Sequence, residues 1–391
     1  MDRRDFLKLV ASTPIAGLAG GLGTDVAYAT APPGTDYRRL LVLIELKGGN
    51  DGLNTVVPYA APAYYALRPK LAIARDRVIK LSDAAGLHPA LEPLLPLWRD
   101  AELAVLQGVG YPAPNLSHFR SIEIWDTASS SDQYLQDGWL TRTFARSPTP
   151  ADFAADGAIV GSADLGPLAG GGTRAIALAD TERFLKQARY ASAEGESPNK
   201  ALGHILKVEA DILRAAARLK SDYAFRTAFP AGAFGAAIHT ACQVAANRPG
   251  VAVVRVTQSG YDTHGGQAPT QARLLGDLAD GIRALKSALV ELDRWNDTLV
   301  LSYAEFGRRP KENLSGGTDH GTASAHFALG GRVAGGIYGE QPSLERLSGD
   351  GNVAFAIDFR RVYATALERW WNVRSADPLG GTFAPLPILR A

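Results

Sequence analysis

Residues 40–52 read Leu-Leu-Val-Leu-Ile-Glu-Leu-Lys-Gly-Gly-Asn-Asp-Gly. The first seven of these residues are apolar apart from Glu45, which is typical of a strand buried on both faces of a parallel sheet. Residues 48–52 then favour a loop, because Gly, Asn and Asp are turn-forming residues. We therefore predict a buried strand whose carboxyl end carries polar side chains.

Further apolar runs predict strands at 102–109, 251–256, 298–304 and 327–330. Helical patterns lie between or after them, at 89–98, from 117 onward, and at 202–226, 268–294 and 358–372. Strands that alternate with long helices predict an α/β fold with a mostly parallel central sheet and helices on both faces. We expect a single domain over 39–391, with an irregular insertion around 130–230 and a linker at 30–38.

The first 29 residues have the pattern of a twin-arginine export signal. Arg3 and Arg4 precede a short apolar stretch at 9–22, and residues 27–29 offer a small-residue cleavage site. An amphipathic first helix is the alternative interpretation. Under the export hypothesis the twin-arginine translocase is a partner, the protein is periplasmic or secreted, and the mature chain has no transmembrane span.

Composition argues against binding to nucleic acid or membrane through overall charge, and it excludes an intrachain disulfide. The 391 residues include 41 basic and 40 acidic side chains, and this balance gives no long-range attraction to nucleic acid or to an anionic membrane. Cys242 is the only cysteine, so no intrachain disulfide can form.

Polar side chains follow each of the four long predicted strands. In a parallel sheet the carboxyl ends of the strands meet at one edge, where ligands bind. Carboxylates and imidazoles are ligands for divalent ions, and the pattern leaves Zn, Mn, Mg and Ca open. The predicted metal ligands are Asp51, Asp262, His264, Glu305, Asp319 and His320.

Each of these residues also has a structural interpretation. Asp51 lies in a Gly-rich turn and could cap its own backbone. Glu305 could instead form a salt bridge with Arg308 or Arg309. The Asp319–His320 pair could belong to a solvated loop. His326, which follows that loop closely, is a candidate for supporting the metal ligands.

Ser117 is the candidate nucleophile, because it opens a helix after a buried strand and a helix amino terminus favours an alkoxide. The alternative interpretation is that Asn115 or Ser117 caps the helix. Arg120 and Arg308 are the candidate residues for orienting phosphate or sulfate oxygens. Ser121 and Thr55 are weaker candidates for the nucleophile.

Several motifs resemble those of an exported bacterial family of unknown function, domain of unknown function 1501, which is placed beside sulfatases in the alkaline phosphatase superfamily. The motifs are Gly48-Gly49-Asn50-Asp51-Gly52, Asn115-Leu116-Ser117-His118-Phe119, Asp137-Gly138-Trp139-Leu140, Tyr261-Asp262-Thr263-His264-Gly265-Gly266, Glu305-Phe306-Gly307-Arg308 and Gly317-Thr318-Asp319-His320-Gly321-Thr322. The resemblance implies an alkaline-phosphatase-like fold, one or two divalent ions at the strand ends, and a Ser, Thr or modified Cys nucleophile.

By position, Asp51 resembles the first-strand ligand of that superfamily and Ser117 resembles its nucleophile. Asp262 and His264 resemble the ligands of one ion, with His320 as the late histidine. Glu305 stands where the superfamily has an Asp-His pair, but Phe306 follows it. The second ion is therefore either lost or held with the help of Asp319 or His118.

Two hypotheses of function follow. The first is an exported, metal-dependent hydrolase of phosphate or sulfate esters, acting on an anionic ester or polymer. The second is a non-catalytic binding, assembly or export factor on a degenerate hydrolase scaffold, which the histidine missing after Glu305 favours.

Overall fold

The computed structural model describes residues 33–179, 181–189, 191, 200–220 and 222–390. The predicted export signal at 1–29 lies outside the described residues. The strands are β1 (Leu40–Lys47), β2 (Val56–Val57), β3 (Ile79–Lys80), β4 (Gly86–Leu87), β5 (Leu103–Gly110), β6 (Gly157–Val160), β7 (Ala175–Leu178), β8 (Val253–Ser259), β9 (Thr298–Tyr303), β10 (Ser324–Leu329), β11 (Gly336–Tyr338) and β12 (Ile357–Asp358).

The α-helices are α1 (Gly52–Thr55), α2 (Pro62–Leu67), α3 (Leu95–Arg99), α4 (His118–Thr127), α5 (Trp139–Arg146), α6 (Thr181–Ala188), α7 (Lys200–Arg218), α8 (Ala233–Ala245), α9 (Gln267–Glu291) and α10 (Phe359–Ala364). Short 3₁₀ segments lie at Pro89–Leu94, Gly166–Leu168 and Trp295–Asp297. A π-helical segment at Thr365–Trp370 continues α10.

The main sheet has nine strands in the order β11-β5-β10-β9-β1-β8-β6-β7, with β12 paired to β5. β1 lies near the centre and pairs in parallel with both β8 and β9. β10 runs antiparallel to its neighbours β5 and β9. The predicted α/β fold with a mostly parallel central sheet is confirmed.

The two faces of β1 belong to two hydrophobic cores. Leu40, Val42 and Ile44 pack in one core with residues of α8 and α9. Leu41 and Leu43 pack in the other core with residues of α4, α5 and α10. Helices therefore cover both faces of the sheet, which explains why the β1 sequence is almost continuously apolar.

Strand direction places four loops at the same edge of the sheet. β8 and β9 run parallel to β1. β5 runs antiparallel to β10, which runs antiparallel to β9, so β5 also runs in the direction of β1. The loops after β1, β5, β8 and β9 consequently emerge together.

The region around 130–230 contributes two strands that the sequence did not suggest. β6 and β7 pair in parallel with each other, and β6 pairs with β8, so both extend the main sheet. Each has only four residues, which is too short for a clear periodic signal.

No helix within the described part of the chain combines the length and the apolar character that crossing a bilayer requires.

Candidate metal centre

Three histidine side chains converge on the carboxylate of Asp262, which follows β8. Its Oδ1 lies 3.1 Å from Nε2 of His264 and 3.2 Å from Nε2 of His320. Its Oδ2 lies 3.4 Å from Nε2 of His118. Donor atoms of His118, Asp262 and His320 all lie within 4.8 Å of one another.

These four residues come from three separate parts of the chain. His118 is the first residue of α4, after β5, whereas Asp262 and His264 lie in the loop that joins β8 to α9. His320 lies in the loop between β9 and β10, where it forms an isolated β-bridge with Arg308. Parallel strand direction is what brings them to one place.

In each of the three rings Nδ1 faces an oxygen that accepts a hydrogen bond, and Nε2 faces the Asp262 carboxylate. A neutral ring with its hydrogen on Nδ1 presents a lone pair at Nε2, as a metal-binding histidine does. The three pairs are His118 with Glu305 Oε1 at 2.7 Å, His264 with Asp319 Oδ1 at 3.1 Å, and His320 with the Leu116 carbonyl at 2.8 Å.

Two of these lone pairs face each other. Nε2 of His264 lies 2.9 Å from Nε2 of His320, and both lie close to Asp262 Oδ1. When both rings carry their hydrogen on Nδ1 these atoms repel one another, and either a hydrogen on one Nε2 or a metal ion among the three atoms relieves the repulsion. A tetrahedral ion with bonds of about 2.0 Å places its ligand atoms about 3.3 Å apart. The separations of 2.9, 3.1 and 3.2 Å are close to that value, so the donor set fits a metal ion.

Charge around the cluster keeps Asp262 ionised. Burial opposes ionisation, but the hydrogen bond and charge of Arg308 outweigh it and lower the pKa of this carboxyl to about 2. The hydrogen bond to Glu305 raises the pKa of His118, whereas burial lowers the pKa of His320. Hydrogen bonds from Asn313 and His264 lower the pKa of Asp319.

Glu305 and Arg308 lie buried beside the cluster and position it. Glu305 Oε1 accepts from the Gly48 amide at 2.9 Å as well as contacting His118. Arg308 donates to the carbonyl groups of Gly49 and Thr318, at 2.8 and 2.9 Å, and to Asp262 Oδ1 at 2.6 Å. Both side chains tie the loop after β1 to the ligand loops.

Asp51, predicted as a metal ligand, is not among the residues whose donor atoms gather in this cluster. It caps α1, accepting from the amides of Leu53 and Asn54. Its two oxygens also pair with Arg68, at 2.6 and 3.0 Å, and one accepts from Gln267. Because these contacts occupy its oxygens, Asp51 serves as a buried cap and ion-pair partner.

Ser117 and Arg120 lie in the same turn at the start of α4 but differ in exposure and contacts. Ser117 is the exposed amino-terminal cap of α4 and its side chain makes no capping bond. Arg120 is buried, and its guanidinium donates to the carbonyl groups of Ser131 and Gln133 instead of reaching the cluster. The weaker candidate Ser121 donates to the Glu305 carbonyl.

Thr55, the other weak candidate for the nucleophile, is buried and donates to the Asp51 carbonyl at 2.8 Å. His326 lies in the core against Trp125, with ring centroids 5.5 Å apart. Neither ring nitrogen of His326 has a hydrogen-bond partner among the described residues. His326 therefore does not support the ligands in this structure.

Two residues outside the predicted ligand set belong to the site. His118 opens α4, the helix that follows β5, and a histidine in the segment after a buried strand is a usable signal. Asn313 donates to Asp319 Oδ1 at 3.3 Å and to the His264 carbonyl at 2.9 Å. Nothing in the pattern around Asn313 distinguishes it from an ordinary turn residue.

Solved structures with a similar fold include a sulfatase and an alkaline phosphatase. The Ps i-CgsB structure in complex with k-i-k-neocarrahexaose has a TM-score of 0.41 and 10% identity, covering 88% of this chain and 74% of that chain. The PsFucS1 sulfatase from Pseudoalteromonas sp. has a TM-score of 0.40 and 11% identity, covering 89% and 70%. The alkaline phosphatase of the Antarctic bacterium TAB5 has a TM-score of 0.34 and 11% identity, covering 77% and 94%.

None of the curated protein sequences matches this chain. The model of one family, described as "Protein of unknown function (DUF1501)", matches residues 93–380. That match spans well over half of the 391 residues. The chain therefore belongs to the DUF1501 family.

Proposed function

We propose that this chain is an exported, metal-dependent hydrolase of phosphate or sulfate esters. The observation that carries the proposal is the convergence of three imidazole Nε2 atoms on one carboxylate. His118, Asp262, His264 and His320 are the proposed ligands. A set rich in imidazole favours zinc or a similar transition metal over magnesium or calcium.

Glu305 and Asp319, predicted as ligands, are reassigned in this proposal. Each carboxylate accepts the Nδ1 hydrogen of a ligand histidine, at 2.7 and 3.1 Å. Such contacts fix the tautomer and the orientation of a metal-binding ring and raise its basicity. Both residues therefore position ligands and do not bind the ion directly.

Ser117 is the proposed nucleophile. The backbone on both sides of it is tied to the cluster, through the Leu116 carbonyl to His320 and through the ring of His118. A divalent ion held by these residues would supply polarisation of the ester and would favour the ionised form of a nearby hydroxyl. Ser117 would give its hydroxyl proton to solvent, and its Oγ would bond to phosphorus or sulfur as the bond to the ester oxygen breaks and that oxygen takes up a proton. Water would then displace Ser117 Oγ from the phosphate or sulfate and return a proton to it.

In the proposed reaction, neither Arg120 nor Arg308, which the sequence predicts as partners of the phosphate or sulfate oxygens, stabilises the charge of the ester. Arg308 and Arg120 are committed to backbone carbonyl groups and to carboxylates. The metal ion and the amide groups at the amino terminus of α4 are the remaining sources of positive potential beside Ser117.

The proposal that the protein is exported rests on the sequence of residues 1–29 alone. We propose that the twin-arginine translocase moves the folded chain, with its ion already in place, to the periplasm or the exterior. This route suits a metal protein because the ligands are brought together only by folding.

The proposal is tested by metal content and activity together. We expect elemental analysis of the purified chain to find about one transition-metal ion per molecule. Hydrolysis of a phosphate or sulfate ester should stop after chelation and in Ser117→Ala, which should keep its metal. Ser287→Ala is the matched control, because Ser287 lies exposed on α9 and donates only to the Arg283 carbonyl. A metal-free chain, or full activity in Ser117→Ala, would contradict the proposal.

One observation favours a second function, that of a non-catalytic binding, assembly or export factor. Phe306 packs against His118 and His320, with ring centroids 4.8 and 4.6 Å away, where the superfamily has a histidine. With Asp51 held by Arg68, the described residues gather ligands for one ion. A chain that retains metal but hydrolyses no phosphate or sulfate ester would support this function.

A further inference from the structure

The segment at 70–80 carries positive charge that no acidic side chain neutralises. It has four basic residues and one acidic residue, whereas the whole chain has 41 and 40. Each of the four cations is exposed, and among the described residues none has a carboxylate oxygen within 4.0 Å of its charged nitrogen atoms. The four are Lys70, Arg75, Arg77 and Lys80.

The carboxylate of Glu312 contacts this segment but does not neutralise Lys70. It accepts from the backbone amides of Lys70 and Leu71, at 3.0 and 2.8 Å. The contact therefore fixes the position of the segment, and the ammonium group of Lys70 keeps its charge for another partner.

Two tyrosine rings hold two of the cations near each other. The guanidinium carbon of Arg75 lies 6.0 Å from the centroid of the Tyr65 ring, and Nζ of Lys80 lies 5.5 Å from that of Tyr59. The Tyr65 hydroxyl donates to the Tyr59 carbonyl at 3.2 Å, so the two ring contacts adjoin. Contacts of this kind orient a cation without neutralising its charge.

The same glutamate places the segment beside the candidate metal centre. Glu312, which binds the segment, is followed directly by Asn313, and Asn313 donates to the His264 carbonyl at 2.9 Å. His264 is a proposed metal ligand. A single peptide link therefore separates the contact with the basic segment from the contact with the ligand loop.

We propose that the 70–80 segment binds anionic groups of a polymer that carries repeated phosphate or sulfate groups, while one of its ester groups lies at the metal centre. This inference rests on the proposed function and extends it from a single ester to a polyanionic substrate. A single phosphate or sulfate uses only part of the segment, whereas clustered cations raise the local concentration of a ligand with many anionic groups. A membrane surface fits less well, because none of the exposed large apolar side chains of the described chain lies in this segment.

The test compares polymers with single esters. We would measure kcat/KM for dextran sulfate and phosphorylated dextran, and for glucose 6-sulfate and glucose 6-phosphate. The segment variant replaces all four cations: Lys70→Gln, Arg75→Gln, Arg77→Gln and Lys80→Gln. At low salt, its ratio of kcat/KM for a polymer to that for the matching single ester should fall about tenfold, chiefly through KM. In the parent, the preference for polymers should weaken as salt is added, because salt screens exposed charges.

The control variant loses the same charge at the opposite edge of the sheet. It carries Arg38→Gln, Arg99→Gln, Lys220→Gln and Arg332→Gln, all at exposed residues. Arg38 precedes β1, Arg99 precedes β5, Arg332 follows the antiparallel β10, and the Lys220 amide donates to Asn247, which precedes β8. The control should keep the parent's ratio. An equal fall in both variants would mean that overall charge attracts the polymer, and it would overturn the inference.

Direct binding separates this inference from the proposed function. Calorimetry with dextran sulfate and phosphorylated dextran needs no turnover. If the parent binds either polymer but hydrolyses no ester, the proposed function fails, while weaker binding by the segment variant upholds the inference. A loss for only one polymer also supports it and identifies sulfate or phosphate as the group bound. Unchanged polymer binding by the segment variant would overturn it, and so would a loss confined to vesicles containing phosphatidylglycerol, which would assign the segment to a membrane surface.

Discussion

At the scale of single residues, Asp51 is a position where the sequence allows two interpretations, a metal ligand or a cap of its own turn. Its carboxylate is fully buried and forms a two-point ion pair with Arg68. Asp51→Asn leaves the Arg68 charge buried without a counter-charge, which typically costs about 3–5 kcal/mol of folding free energy. Urea denaturation measures this loss, and we expect the folded fraction to keep its metal.

Asp277→Asn is the matched control for that experiment. Asp277 pairs with Arg273 at 3.0 Å on the exposed surface of α9. Removing such a pair changes stability by only about 0.3–0.5 kcal/mol. If Asp51→Asn unfolds no more easily than this control and loses its metal, Asp51 is a ligand and not a structural cap.

At the scale of elements, the sequence predicts best what depends on continuous burial. β1, β5, β8 and β9 were recognisable from apolar runs that end in polar loops, and that pattern alone predicted the edge where the site lies. The antiparallel direction of β10 and the four-residue strands β6 and β7 were not recognisable, because pairing partners are set by distant parts of the chain. The ion pair between Asp51 and Arg68 could not be predicted either, because the fold of the chain between them sets it.

The loop after β1 yields a prediction at this scale. Gly48 has φ of +115°, and a Cβ built on it would lie 2.4 Å from the backbone nitrogen of Asp262. Gly48→Ala therefore strains its own backbone and displaces the loop that carries Asp262 and His264. We expect metal affinity to fall about 10–100-fold, as for other residues that position ligands. Titration with a competing chelator measures the affinity.

Gly171→Ala is the control for that loop variant, because a Cβ at Gly171 would meet nothing within 4 Å. Its metal affinity should equal that of the parent. Equal affinities for Gly48→Ala and Gly171→Ala would show that close packing of the β1 and β8 loops does not hold the ligands in place.

At the scale of the whole molecule, two buried histidines make stability depend on pH. Burial lowers the pKa of His326 to about 3, and burial together with the charge of Arg77 lowers the pKa of His88 to about 4. Both are neutral in the folded chain at pH values where the unfolded chain, with an imidazole pKa of about 6.5, takes up protons. Their contribution to stability is complete above about pH 6.5 and is lost as the pH falls toward the folded values.

His326→Leu isolates the larger of these contributions. Because neither ring nitrogen of His326 has a partner among the described residues, a leucine loses no hydrogen bond and keeps the apolar contact with Trp125. His326 should account for about 1.4 kcal/mol of lost stability per pH unit between pH 6 and pH 4, and the variant should lack that part of the slope. Urea denaturation with chelator present measures it without interference from metal binding. The exposed His239 on α8 provides the control His239→Gln, which should keep the parent's slope. If the free energy of unfolding depends on pH equally in the parent and in His326→Leu, His326 is hydrated or protonated in the folded chain. Its burial in a core without water would then be wrong.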